Sequence, residues 1–207
     1  MIIELFSRGG PVFWLIVASG LVALIVFLER FLHLHRARIR VDDFLKGICT
    51  ILRRDNIAEA VSICEETPGP VAYLVKTAVL HRSDSKEGLR SAVDEAGRSE
   101  IAGMERRLVV IATVAQTAPL FGLLGTVLAM IRAALVMSRQ APLVQSQDII
   151  TWLLQALVTT AAGLMVAIPC FIGYSFLVTR IEKIVLDMER AASEILAFLT
   201  GERSVIE

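Results

Sequence analysis

The sequence predicts an all-α integral membrane protein with three transmembrane helices, on three observations. Hydrophobic residues make up 55% of the 207 residues, which is more than a soluble domain usually carries. They are concentrated in three runs, at 11–28, 108–137 and 149–178. Each run can cross about 30 Å of hydrocarbon as a helix that rises about 1.5 Å per residue. The polar stretches between them show helical rather than alternating spacing.

The first run, PVFWLIVASGLVALIVFL, predicts a retained anchor. A signal peptide is the alternative, but its apolar core would be shorter, and no small-residue cleavage site follows this run. Orientation comes from the positive charges that flank the three runs, which are Arg30, Arg36, Arg38, Arg40, Arg106, Arg107, Arg180 and Lys183. The positive-inside rule places 30–107 and the tail in the cytoplasm and the N-terminus outside.

The chain therefore divides into seven predicted segments. They are a short outer N-terminus at 1–10, a first span at 11–29, a cytoplasmic helical region at 30–107, a second span at 108–137, an outer loop at 138–148, a third span at 149–179 and a cytoplasmic amphipathic tail at 180–207.

The cytoplasmic region predicts several helices. The stretch 41–66 has apolar residues at helical spacing, and TPGP at 67–70 is a breaker. The motif DSKE at 84–87 resembles a capping box that starts the next helix. From there one apolar face continues into the second span without a stop signal, which predicts one helix of about fifty residues, on the order of 75 Å long.

The tail continues the third span as an amphipathic helix. Its apolar residues recur at helical spacing and are Ile181, Ile184, Met188, Ala192, Ile195 and Leu199. We expect this face to pack against 86–107. The alternative is a helix lying on the membrane surface, which a polar face of mixed sign disfavours.

Small residues form a stripe on each of the last two spans. The stripes comprise Ala118, Gly122, Gly125, Ala129 and Ala133 in the second span, and Ala156, Thr160, Gly163 and Ala167 in the third. Small residues let helix backbones approach closely in lipid. The pattern alone leaves open whether the contact lies within one subunit or between subunits.

Prolines and polar side chains interrupt the same two spans. Pro119 and Pro169 each remove a backbone hydrogen bond and tend to bend their helix. Polar residues precede them, namely Thr113, Gln116 and Thr117 in one span and Thr159 and Thr160 in the other. Each hydroxyl could bond to its own backbone one turn back, whereas the cluster as a whole favours a polar-lined path.

No Asp or Glu lies in the interior of any of the three runs. Hydroxyls and amides do not titrate, so a proton relay through this chain needs a carboxylate from a partner. This chain would contribute hydroxyls and Gln155. Arg132, late in the second span, either snorkels to the interface or repels cations.

Other classes of function have no support in the sequence. The formal net charge is zero, so no nucleic-acid partner is implied. His33 and His35 are two residues apart and point to different sides of a helix, which disfavours a metal site. No nucleophile motif, phosphate loop or metal-ligand spacing is present, so we expect neither an enzyme nor a cofactor.

Two motifs resemble the MotA/TolQ/ExbB proton-channel family. TAPLFGLLGTVLAMIRA at 117–133 resembles the family's second-helix signature, and QALVTTAAGLMVAIPCFIGYSFL at 155–177 resembles the third. The three-span layout is similar to ExbB and TolQ. By motif position, Thr126 and Thr160 match pore-facing threonines, with Thr159 and Gln155 beside them. Pro119 and Pro169 match the family's prolines, and Gly122, Gly125 and Gly163 lie in the packing stripes.

The resemblance implies a homopentamer around a dimer of ExbD- or TolR-like single-span proteins in the bacterial inner membrane. The partner's membrane aspartate would carry protons and energise TonB or TolA across the periplasm. Gln155 departs from the pattern, because ExbB and TolQ have a glutamate there, and Ser175 stands where they have asparagine.

Three rival interpretations stay open at this stage. A TolQ-like role in the Tol-Pal envelope system is not separated from an ExbB-like role in nutrient uptake. Gln155 also keeps open a non-conducting membrane scaffold. A secondary transporter is disfavoured, because three spans without a pair of broken, charged helices offer no substrate site.

Overall fold

The computed structural model describes residues 10–36, 40–140 and 146–201, all but their short connections in helices. Seven helices follow one another in these ranges, and the same residues contain no strand. They are α1 (Gly10–Arg36), α2 (Val41–Arg53), α3 (Ile57–Glu66), α4 (Pro70–Leu80), α5 (Lys86–Glu105), α6 (Leu108–Gln140) and α7 (Ser146–Leu199). The all-α prediction is confirmed.

Three helical stretches are long and apolar enough to cross a membrane, as the three hydrophobic runs predict. They are Pro11–Leu32, Lys86–Ser138 and Ile150–Leu199. Where the bilayer begins and ends on each of them stays a prediction. Much of the expected N-terminal segment and the expected outer loop lie outside the described residues, as do the side chains of His33 and His35.

The chain folds as two compact units. The first comprises the described residues of Met1–Glu29 and Leu108–Phe176, and the second comprises those of Arg30–Arg107 and Leu177–Glu207. The first unit therefore contains most of α1, all of α6 and the first half of α7. The second contains α2 to α5 with the ends of α1 and α7.

Helix α4 is at the centre of the second unit. It contacts both α3 and α5, and seven of its eleven residues are buried. Proline at the first helical position costs nothing there, because that amide has no partner in a helix. Gly69, just before it, has φ 130°, a conformation that favours glycine. The predicted breaker at 67–70 is thus confirmed as the junction of α3 and α4.

Two side-chain caps set the starts of neighbouring helices. Ser85 Oγ accepts a hydrogen bond from the amide of Gly88 at 3.1 Å, so the predicted helix start at 84–87 is confirmed. Asn56 accepts one from the amide of Glu59 at 3.4 Å. This second cap divides 41–66 into α2 and α3, a break that the apolar spacing did not reveal. Asp55, with φ 55°, makes the turn.

The predicted single helix from 86 through the second span is wrong in one detail. Regular hydrogen bonding ends at Glu105 and resumes at Leu108, so Arg106 and Arg107 separate α5 from α6. Arg106 keeps helical backbone angles, φ −50° and ψ −39°. The interruption is therefore short, and a side chain from another helix donates hydrogen bonds directly before it, as described below.

The amphipathic tail is confirmed as part of the unbroken helix α7. Its face buries Ile181, Met188, Ala191 and Ile195 within the protein, while the predicted Ile184, Ala192 and Leu199 are half-buried. The tail also contacts α2, where Arg190 forms an ion pair with Asp42 at 3.4 Å. Packing of the tail against 86–107 stays a prediction.

We predict opposite effects of alanine at two glycines of the second unit. A Cβ at Gly47, inside α2, meets nothing within 4 Å, so Gly47→Ala should stabilise the protein by about 0.5–1 kcal/mol through its helix propensity. Gly69→Ala is the matched control and should destabilise it, because φ is 130° there. Thermal unfolding in detergent, followed by circular dichroism, measures both. A lower melting midpoint for Gly47→Ala would contradict the open space that the structure shows around a Cβ at this position.

Burial makes the Cys64 thiol of α3 unreactive. It raises the pKa of this thiol to about 11, although Lys76 lowers it slightly. At pH 8 the thiolate fraction should be on the order of a hundredfold below that of an exposed cysteine. Maleimide labelling of the folded chain should therefore be slow at Cys64 and fast at an engineered Ser62→Cys, which lies exposed on the same helix. Equal labelling rates would show that α3 opens readily.

Candidate functional site

The two small-residue stripes meet each other within one chain. Helix α6 buries Ala118, Gly122, Gly125 and Ala129, and α7 buries Ala156, Thr159, Gly163 and Ala167. The sequence left open whether these stripes join two subunits. The structure assigns them to the α6–α7 pair of one chain.

The backbones of α6 and α7 approach so closely that a Cβ at Gly163 would collide with the other helix and one at Gly122 would be tight. A Cβ on Gly163 would lie 2.6 Å from the Ala118 carbonyl oxygen, and one on Gly122 would lie 3.1 Å from that of Thr159. A Cβ on Gly125 would lie 2.6 Å from Thr159 Oγ1. In lipid, this close packing supplies the attraction that the hydrophobic effect supplies in water.

Thr159 is enclosed by the helix pair. It is 1% exposed, and its hydroxyl donates to the carbonyls of Gln155 and Ala156 in its own helix, at 3.2 and 2.9 Å. Gly125 leaves the space that its side chain fills. In this chain Thr159 therefore packs between the helices, although the sequence grouped it with pore-lining residues.

Thr160 is the residue of this set whose hydroxyl reaches the neighbouring helix. It donates to the Ala156 carbonyl at 3.3 Å and lies 3.5 Å from the carbonyl oxygen of Gly122, at the long end of hydrogen-bond range. Its side chain is half-buried. The Thr160 hydroxyl is thus a polar group at the edge of the helix contact.

Other threonines in α6 bond to their own backbone. Thr113 and Thr117 donate one turn back, each at 2.8 Å, and Thr126 donates to Leu123 at 2.6 Å. Such bonds satisfy a hydroxyl in an apolar environment without a partner helix. Thr126 and Gln155 are both half-buried. Part of each side chain is therefore exposed on the outer surface of the α6–α7 pair.

Both prolines lie inside continuous helices. Pro119 is in α6 and Pro169 is in α7. Proline lacks an amide proton, so the carbonyl one turn earlier loses its donor. Pro119 lies next to Ala118, whose carbonyl oxygen is the atom nearest to Gly163. The α6 proline and the tightest backbone contact therefore fall at the same level of the pair.

Helix α1 packs on α7 through two further glycines. A Cβ on Gly20 would lie 2.9 Å from Val166, and one on Gly173 would lie 3.0 Å from the Phe27 ring. A side cavity of about 450 Å³ lies between these contacts, bordered by apolar residues and by Pro169 and Cys170.

Charged groups are scarce in these helices. Among the described residues, no cluster of three or more His, Cys, Asp or Glu could hold a metal ion, and the spans carry no carboxylate in their interior. The Arg132 guanidinium lies 5.9 Å from the centre of the Trp152 ring, a cation–π distance. Many leucines and isoleucines on the outward faces are exposed, as contacts with lipid or with other subunits require.

Comparison with known proteins decides the family. The model of the MotA/TolQ/ExbB proton channel family matches residues 67–190, which cover α4 to most of α7. The chain belongs to the MotA/TolQ/ExbB proton channel family. This description agrees with the expectation of a membrane transport subunit.

Three curated relatives carry names from this family. The chain is 26% identical to the putative biopolymer transport protein ExbB homolog of Methanothermobacter thermautotrophicus, over 87% of the chain and 64% of the relative. It is 42% identical to biopolymer transport protein ExbB of Aquifex aeolicus, over 44% of the chain and 61% of the relative. It is 34% identical to Tol-Pal system protein TolQ of Haemophilus influenzae, over 55% of the chain and 49% of the relative. The matches thus span less than two thirds of the length of each of these relatives.

We predict that Gly163→Ala forces α6 and α7 apart. The new methyl group would lie 2.6 Å from a backbone oxygen, which cannot rotate away as a side chain can. Overpacking of this kind costs about 1–3 kcal/mol. The melting midpoint in detergent should fall, whereas Gly103→Ala, whose Cβ meets nothing within 4 Å, should not lower it. Equal midpoints for the two variants would be incompatible with the close approach.

Proposed function

We propose that the chain is the channel and motor subunit of an ExbB–ExbD-like complex in the bacterial inner membrane. In this proposal the complex uses the proton motive force to energise a TonB-type protein that spans the periplasm, for outer-membrane transport. The observation that carries it is the α6–α7 pair: a tightly packed, proline-containing helix pair with hydroxyl and amide groups and without any carboxylate in its spans.

The missing carboxylate defines the partner. A proton relay needs a group that titrates near the membrane centre, and Thr and Gln do not titrate. We therefore assign the carrier to the membrane aspartate of an ExbD- or TolR-like single-span protein. The proposed assembly is a homopentamer in the lipid bilayer around this partner, with the N-terminus in the periplasm and the C-terminus in the cytoplasm.

Three side chains are proposed to line the proton path. Thr126, Gln155 and Thr160 are half-buried in the chain and keep polar atoms at the edge of the pair. Thr159 is enclosed, so its proposed part is to keep α6 and α7 in register. Because glutamine replaces a glutamate at 155, this subunit adds hydrogen-bonding groups to the path but no second titrating site.

A TolQ-like role in the Tol-Pal cell-envelope system is the second candidate. The 34% identity to a TolQ protein over 55% of the chain favours it. The two candidates share the helix pair and the need for a single-span partner. They differ in the client protein, which would be TonB-like in one case and TolA-like in the other.

The first test is copurification with the single-span protein encoded beside this chain, followed by native mass determination. We expect a complex of a homopentamer with a dimer of the partner. Proton uptake into vesicles that contain the complex should then depend on the partner's membrane aspartate. A stable homo-oligomer that binds no such partner and takes up no protons would instead identify a non-conducting scaffold.

We predict that Thr160→Val impairs proton uptake and leaves assembly intact. Valine has nearly the shape of threonine, so the contact with α6 is kept, while the hydroxyl near the Gly122 carbonyl is lost. The loss of one hydrogen bond is worth about 0.5–1.5 kcal/mol, so the rate of proton uptake should fall by roughly two- to tenfold. The measurement is the rate of proton uptake by the reconstituted complex.

Ser19→Ala is the matched control for this variant. Ser19 lies in α1 and donates only to the Ile16 carbonyl of its own helix, at 2.8 Å. Its loss removes a hydroxyl from a span without touching the α6–α7 pair, so uptake should be unchanged. If Thr160→Val also leaves uptake unchanged, Thr160 has a packing role alone.

A further inference from the structure

A buried arginine connects the end of α1 to the end of α5. Arg30 Nη2 donates to the carbonyl oxygens of Gly103 at 3.2 Å and of Met104 at 2.6 Å. The two helices are more than seventy residues apart in sequence. Arg30 is 5% exposed, so these bonds form out of contact with water, where charge-assisted hydrogen bonds are strong.

The two carbonyls belong to the last turn of α5, directly before the helix ends at Glu105. The last regular bond of α5 runs from the Arg106 amide to the Ala102 carbonyl. In an uninterrupted helix the next two carbonyls would accept from residues 107 and 108. Arg30 donates to both, and its positive charge faces the negative end of the α5 dipole. It is a C-terminal cap supplied by another helix.

One further donor of the same side chain, the Arg30 Nε–H group, is buried without a hydrogen-bond partner among the described residues. Burying a guanidinium group that has an N–H donor without a hydrogen-bond partner costs free energy. The two carbonyl bonds are the hydrogen bonds that offset part of this cost.

We propose that Arg30 is a positioning residue that fixes α5 to the end of α1 that begins at Arg30, so that a displacement of this end is passed to α5. The bonds join the two helices near their ends, and the last α5 backbone bond at this end runs from the Arg106 amide to the Ala102 carbonyl. Without the guanidinium group, the end of α5 loses its hold on α1, while the buried core of α2 to α4 stays intact.

The test is a distance measurement between spin labels at Leu32 on α1 and Arg98 on α5, both exposed. The full-length chain, with its three cysteines replaced by alanine, is labelled at these positions and diluted with unlabelled chain in lipid nanodiscs. The parent should give one narrow distance peak. Arg30→Met, which keeps length but removes every donor, should lose this peak and give a broad distribution. Arg30→Lys should restore part of the narrow peak.

Two controls separate positioning from general loosening. Arg106→Met removes an exposed positive charge next to the break and should keep the narrow peak. A second label pair, at Ser62 on α3 and Tyr73 on α4, should stay narrow in Arg30→Met. A narrow 32–98 peak in Arg30→Met would overturn the proposal, and so would broadening of both label pairs. Neither outcome depends on proton transport or a partner, so this test is independent of the proposed function.

Discussion

The close approach of the α6 and α7 backbones is the constraint on which the first unit depends. A Cβ on Gly163 would collide with the Ala118 carbonyl oxygen at 2.6 Å, and one on Gly122 would be tight against the Thr159 carbonyl oxygen at 3.1 Å. Backbone atoms of one helix therefore contact backbone atoms of the other over about one turn, between 118–122 and 159–163. In a bilayer, where lipid tails solvate leucine as well as protein does, such contact is what makes a helix pair specific.

This constraint also decides which polar groups remain available. Thr159 fills the space that Gly125 leaves, and both of its hydrogen bonds stay in its own helix. Thr160, one residue further, faces the edge of the contact and reaches a carbonyl of the other helix. Adjacent residues of the same type therefore differ in role because successive positions of a helix point about 100° apart.

The sequence predicted the elements far better than their partners. Hydrophobic runs, breakers and caps are local signals, so the spans, the α3–α4 junction and the start of α5 at Lys86 follow from a few neighbouring residues. The small-residue stripes were equally clear in the sequence. Their periodicity, however, indicates only that one face of each helix packs closely against something. Whether the other side is the same chain depends on tertiary structure, and it was the structure that joined the two stripes.

The break between α5 and α6 shows why local signals fail at some sites. Residues 86–140 read as one helix, because neither glycine nor proline marks Arg106 and Arg107. The donor that takes the α5 carbonyls comes from Arg30, which the sequence presented only as one of several juxtamembrane positive charges. A long-range hydrogen bond leaves no trace in the spacing of either segment. The interaction is recognised by a buried arginine that donates both of its hydrogen bonds to backbone carbonyls. Only the three-dimensional structure, which brings the two helix ends together, reveals it.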